Sequence, residues 1–187
     1  MKLYFIRHAE VIKQPEVPSD RWVLSEDGIR AAWSVGETLQ GVAARWKVSP
    51  EPKAVRTFAE AMRGTAFECD ERLRELRRGG WVNDYRAAGQ RALDITSEPA
   101  LPGWETAEAA AHRFAEVVRD HLRTGADLGV CGHGLIFSAW INLHRAGGPP
   151  PTGLWQDLRF PDLWEVDLNR DGRWTSLVRA AVSGRQS

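Results

Sequence analysis

The chain has 187 residues, 43% apolar and 27% charged, a globular composition long enough to bury roughly two thirds of its unfolded surface in one core. Its 25 basic side chains offset 25 acidic ones, and a net charge of zero gives no overall pull toward nucleic acid or an anionic membrane. The first apolar run, Leu3 to Ile6, is too short for a signal segment, and no later stretch approaches about 18 uninterrupted apolar residues; a soluble, cytoplasmic, single-domain protein over residues 1–187 is expected.

Leu3 to Ile6 is a continuous apolar run left at Arg7-His8, the pattern of a strand buried on both faces. After a loop with Pro15, Pro18 and Ser19, Ser25 stands as the N-cap of a helix whose apolar face runs through Ile29, Ala32, Gly36, Leu39 and Ala43. Arg45 to Val48 reads as a short strand, and Pro52 opens a helix with Val55, Phe58, Ala59 and Met62 on one face. A brief strand and a loop follow between Glu68 and Gly80, then a helix from Val82 to about Thr96, broken by the Pro- and Gly-bearing run Ser97 to Gly103.

The most regular amphipathic pattern begins at Thr106 and ends near Gly125. Leu128 to Cys131 is a second buried strand, which breaks at Gly132-His133-Gly134 and enters an apolar helix from Leu135 to about His144. Gly147 to Pro151 reads as a loop, and Trp164 to Leu168 with Trp174 to Val178 as a hairpin turning at Asp171-Gly172. Strands alternating with helices predict a layered α/β sheet. Cys69 and Cys131 lack CxxC spacing, so neither a disulfide framework nor a thiolate zinc site is indicated.

The chemistry is carried by position. Ligands of open α/β sheets sit beyond the carboxyl ends of the strands, and His8 and His133 each follow a buried strand directly. If those strands are neighbours, both imidazoles converge on one crevice. Gly132 and Gly134 let backbone approach a ligand, the helix beginning there offers N–H groups to an anion, and Arg7 adds a planar cation suited to phosphate oxygens. A phosphate group is the natural guest of such a pocket.

Leu3 to Glu10 is similar to the Arg-His-Gly/Ala-Glu signature of the histidine phosphatase superfamily, the phosphoglycerate mutase-like fold. In the family's order there follow Leu24 to Gly28, Ser49 to Thr57, Arg72-Leu73-Arg74-Glu75, Gly103 to Thr106, and Cys131 to Gly134. The resemblance implies a single-domain three-layer α/β/α sandwich with a mostly parallel sheet. It implies His8 as the nucleophile that forms a phosphohistidine, Arg7, His133 and the Gly134 region as holders of the phosphoryl oxygens, and Glu75 as general acid and base. No metal or other cofactor is expected. At the family's second phosphate-binding arginine stands Lys53, favoured by its place in the motif, with Arg56 one turn along as the alternative.

Gln14, Arg56, Arg74 and Arg78 are candidates for contact with the rest of a substrate. The run Arg72, Arg74, Arg77 and Arg78 reads first as a solvated basic face, and second as the lining of a pocket for a highly charged substrate. The tryptophans at 22, 81, 104 and 155 either wall the pocket or pack the core. Three functions fit: a metal-independent phosphomonoesterase acting on a phosphorylated small molecule, a phosphoglycerate mutase, and a phospho-ligand binding module without turnover. The sequence does not name the substrate or the oligomeric state.

Overall fold

The computed structural model describes residues 1–149 and 151–182; Pro150, within the predicted 147–151 loop, lies outside them. A six-stranded sheet is built from β1 (Lys2–Arg7), β2 (Ala44–Val48), β3 (Phe67–Cys69), β4 (Asp127–Gly132), β5 (Asp162–Leu168) and β6 (Trp174–Arg179), in the order β3-β2-β4-β1-β5-β6. The first four are mutually parallel, and the β5–β6 hairpin adds an antiparallel edge against β1. Gly172 turns that hairpin with φ +74°, a left-handed conformation that suits glycine.

Strand residues point alternately to the two faces, and each face has its own core. Leu3, Phe5, Leu128 and Val130 pack under α3 (Tyr85–Asp94), α4 (Ala107–Leu122), α5 (Gly134–Leu143) and the short α6 (Leu154–Asp157). Ile6, Trp46, Val48 and Cys131 pack under α1 (Glu26–Thr38) and α2 (Pro52–Ala61). This is the three-layer single domain that the resemblance implies. The Trp46 ring covers Gly129, where a Cβ would lie 2.2 Å from a ring carbon, so only glycine admits the indole at that point of β4.

Helix starts follow the local chemistry. Ser25 accepts from the Gly28 amide, Asp84 from Ala87 and Thr106 from Ala109, and Pro52 takes the first position of α2, where its missing N–H costs nothing. Two boundaries differ from expectation. Helix α1 stops at Thr38, and the chain turns through Gly41 at φ +80°, so Ala43 belongs to the entry into β2 and not to the helix. Helix α3 is confined to Tyr85–Asp94 because the Asp84 cap starts it late. The short α6 falls in a segment for which no helix was predicted. No helix among the described residues is long and apolar enough to cross a membrane.

Candidate active site

Strands β1 and β4 are parallel neighbours, with Arg7 opposite Gly132 in the register. The next residue on each strand is a histidine, and the His8 amide donates to the Gly132 carbonyl (2.9 Å). The two imidazoles meet edge to face with centroids 5.2 Å apart. The Ser49 amide donates to the Cys131 carbonyl (2.9 Å), bringing the start of α2 to the same end of the sheet.

His8 is held in one tautomer. Its Nδ1 lies 2.8 Å from the Ala9 carbonyl, which can only accept, so the proton sits on Nδ1 and Nε2 keeps its lone pair. The Ala9 peptide is fixed in turn, its amide donating to Thr57 Oγ1 (2.9 Å) while the Thr57 hydroxyl donates to the Lys53 carbonyl (2.7 Å). Burial, and then the neighbouring His133, Lys53 and Arg7, hold the His8 pKa well below the ordinary histidine value. His133, fully buried, is depressed in the same way by burial and by Lys53, Arg78, Arg7 and Arg74. Its Nε2 lies 2.7 Å from Ser49 Oγ and 3.5 Å from Glu51 Oε1, and its Nδ1 has no partner among the described residues.

Arg7 Nη1 donates to the carbonyls of Leu158 (2.8 Å) and Arg159 (3.4 Å), and the Phe160 ring lies over the guanidinium, 3.5 Å from its centroid to the central carbon. Its Nε is buried without a partner among the described residues. Burial lowers this arginine to about 10, against the opposing effect of Glu75, Tyr85 and Asp162, so it stays charged at neutral pH. A Cβ on Gly134 would lie 2.9 Å from Arg7 Nε, which explains glycine at that position. Phe160 also borders His8 (centroids 5.3 Å apart) and is 44% exposed, an apolar surface beside that imidazole.

Lys53 is 3% exposed and turned into the cluster, donating to the Ser19 carbonyl (2.7 Å) and forming an ion pair with Glu51. Arg56 is not brought to the site. It lies on the outer face of α2, paired with Glu60 (2.6 Å), so of the two alternatives only Lys53 faces the histidines.

Glu75 stands where the sequence placed an anion site. Its Oε1 accepts from the amides of Leu76 (2.9 Å) and Ile136 (2.9 Å), and its Oε2 from that of Leu135 (3.1 Å). The expectation that the first turn of α5 is open to phosphate is therefore corrected: Glu75 caps it, which His133, the formal N-cap, does not do through its side chain. The Gly134 amide has no acceptor among the described residues.

The basic run divides. Arg72 pairs with Asp70 (2.8 Å) and Asp120 (2.7 Å), Arg74 with Glu71 (2.5 Å) and Arg77 with Glu105 (3.8 Å), so these are the solvated face. Arg74 is thus engaged elsewhere, although its charge is felt at His133. Arg78 turns inward, donating to Ser19 Oγ (2.8 Å) and lying over the Tyr85 ring, 4.5 Å to the centroid. Gln14 contributes its backbone carbonyl to Trp22 Nε1 (3.1 Å), and its exposed side chain makes no hydrogen bond among the described residues. Trp104 is buried and Trp155 packs against Tyr85, so these two serve the core, whereas Trp22 and the exposed Trp81 pair at the surface (6.1 Å). The residues that sequence reasoning left without a role are Ser19, Ser49, Glu51, Thr57, Tyr85 and Phe160. Ser49, Glu51 and Thr57 lay inside a recognised motif; Phe160 carried no local signal.

Two neutral histidines, a partly unpaired arginine and a buried lysine thus stand together at the carboxyl ends of parallel strands. Residues 3–176 match the model of the histidine phosphatase superfamily, branch 1, and the chain belongs to that family. No curated protein matches it in sequence. Among solved structures it is similar to a mycobacterial glucosyl-3-phosphoglycerate phosphatase (TM-score 0.72, 20% identity, 97% of this chain and 99% of that one). It is also similar to an Entamoeba histolytica phosphoserine phosphatase variant in complex with phosphoserine (0.70, 17%, 99% and 98%) and to a Bacillus anthracis phosphoglycerate mutase (0.70, 18%, 93% and 90%). At these identities the likeness establishes the fold.

Two predictions concern stability. Glu75→Ala leaves the buried amides of Leu135 and Ile136 without an acceptor and is expected to cost about 1–3 kcal/mol in urea unfolding, while Glu75→Gln, which keeps one acceptor oxygen, costs less. Equal losses would contradict the capping role. His8 and His133 are neutral in the fold, whereas the unfolded chain takes up their protons below about pH 6.5. Stability is therefore expected to fall as pH drops below about 6.5, by at most about 1.4 kcal/mol per pH unit for each of the two histidines. The fall should be shallower in His133→Asn, and an unchanged slope would oppose the assignment.

Proposed function

We propose that the protein is a metal-independent phosphomonoesterase that works through a phosphohistidine on His8. The observation that carries this reading is the His8 tautomer: Nδ1–H is committed to the Ala9 carbonyl, and Nε2 presents a lone pair beside Arg7, Lys53 and His133. A neutral imidazole in that position is a nucleophile without need of a base.

In the first step the Nε2 lone pair forms a bond to phosphorus as the ester P–O bond breaks, and the leaving oxygen receives a proton. Arg7 through Nε, Lys53 and His133 through Nδ1–H hold the non-bridging oxygens and the charge that develops on them. His133 Nδ1 can donate when the Ser49 hydroxyl donates to its Nε2. Glu75 supplies the proton. Its two oxygens offer about four lone-pair sites, three amides occupy three of them, and the remaining site is on Oε2. In the second step water attacks phosphorus, Glu75 takes its proton, and the P–N bond breaks to regenerate His8 and release inorganic phosphate.

The substrate in this reading is a phosphorylated small molecule whose leaving group lies against the exposed Phe160 ring. Phosphatase and mutase names both occur among the similar structures, so the fold accommodates either outcome. The free cysteines, Cys69 exposed and Cys131 buried, fit a reducing cytoplasm as the place of action. Burial pushes the Cys131 thiol up, which argues against a thiolate nucleophile there.

Hydrolysis of an aryl phosphate in excess chelator is expected to proceed with wild type and to vanish in His8→Ala, while Glu75→Gln loses roughly 10²–10⁴-fold in turnover. Full activity in His8→Ala would overturn the proposal. Phosphoryl transfer between the two positions of phosphoglycerate without phosphate release would replace it by a mutase, and tight phosphate binding without turnover by a binding module.

A further inference from the structure

Glu51 occupies the N-cap position of α2 but makes no capping bond with its side chain. The carboxylate is turned inward instead and is 2% exposed. It forms an ion pair with Lys53, accepts from the Glu75 amide through Oε1 (2.8 Å), and brings Oε1 within 3.5 Å of His133 Nε2. An anion thus stands inside the cluster that is to receive an anion. Lys53 has three N–H donors, of which one goes to the Ser19 carbonyl and one to Glu51, leaving one for a phosphate oxygen. With both histidines neutral, Arg7, Lys53 and the inward-turned Arg78 are the cations of the centre and Glu51 is the carboxylate paired with Lys53, so a doubly charged phosphate meets an anion at the cation that is to hold it.

Resting on the phosphomonoesterase reading, we propose that Glu51 is an affinity-setting residue: a built-in anionic competitor for Lys53 that weakens the hold on phosphate and on the released product. Its charge repels the phosphoryl group at short range in a dry site, where such repulsion is poorly screened. It also compensates Lys53 while the site is empty, when an unpaired buried ammonium would destabilise the fold. A carboxylate that merely positioned Lys53 would have the opposite effect on affinity, because its loss would loosen the lysine and weaken phosphate binding.

Glu51→Gln preserves volume and the oxygen that accepts from the Glu75 amide while removing the charge. Inorganic phosphate is the probe, read as its inhibition constant against aryl phosphate hydrolysis and as the rise in Tm that it produces. The inhibition constant and KM are expected to fall about tenfold or more in Glu51→Gln, with a larger phosphate-induced rise in Tm than in wild type. Unchanged or weaker phosphate binding in Glu51→Gln overturns the proposal. Should that variant fold poorly, the comparison is made in a Lys53→Gln background, in which Glu51→Gln gives a neutral buried pair. There Glu51→Gln still tightens phosphate if repulsion is its effect, and makes no difference if it only positions the lysine. A wild-type protein that turns over while Glu51→Gln binds phosphate less well refutes the role of Glu51 alone. A wild-type protein with neither turnover nor phosphate binding refutes the function beneath it.

Discussion

Because β1 and β4 run parallel with Arg7 opposite Gly132, the chain brings two histidines from distant parts of the sequence to one end of one sheet. Every other feature of the site is arranged around that pairing. The loop after β2 joins it through the Ser49 amide on the Cys131 carbonyl, and α2 then delivers Lys53 and Thr57. Helix α5 starts at the residue after His133, so its first turn is part of the same centre. A slip of β1 by one residue would exchange its two faces and move Phe5 and Ile6 into each other's cores as well as displacing His8. The two apolar cores therefore fix the geometry of the histidine pair.

The centre is costly to keep dry. Arg7, Lys53, Glu51 and Glu75 are all buried, and each is held by partners that replace the water it has lost. Arg7 has two backbone carbonyls and the face of Phe160, Lys53 has Ser19 and Glu51, and Glu75 has three amides. Buried ion pairs of this kind contribute little net stability, whereas removing one partner leaves the other exposed to the full cost of desolvation. The same dryness keeps His8 and His133 neutral, which links resting-state stability to the availability of the Nε2 lone pair.

Much of this was legible in the sequence because its signals are local. Buried strands, the cap at Ser25, the helix start at Thr106 and the Asp171-Gly172 turn each involve residues within a few positions of one another, and the two strand-end histidines needed only the assumption that their strands are neighbours. Contacts between distant segments were not legible. Glu75 reaches α5 across 60 positions to take the amides that the sequence assigned to phosphate, and Phe160 meets Arg7 from a loop that carries no motif. The choice between Lys53 and Arg56 depended on which face of α2 looks inward, and the ion pair of Arg56 with Glu60 settles that face only in three dimensions. Glu51 lay in the quoted motif, but its inward turn becomes visible only when Lys53, Glu75 and His133 are seen around it.

The central claim is that His8 Nε2 is the atom that bonds to phosphorus. Its direct test is to quench wild type during turnover of an aryl phosphate under alkaline denaturing conditions, which preserve phosphohistidine, and to locate the phosphoryl group by peptide mass spectrometry and phosphorus NMR. Phosphate on Nε2 of His8, at up to one equivalent per chain, is the result this account predicts. An enzyme that turns over with no phosphoryl group on His8, or with the group on another residue, would contradict it.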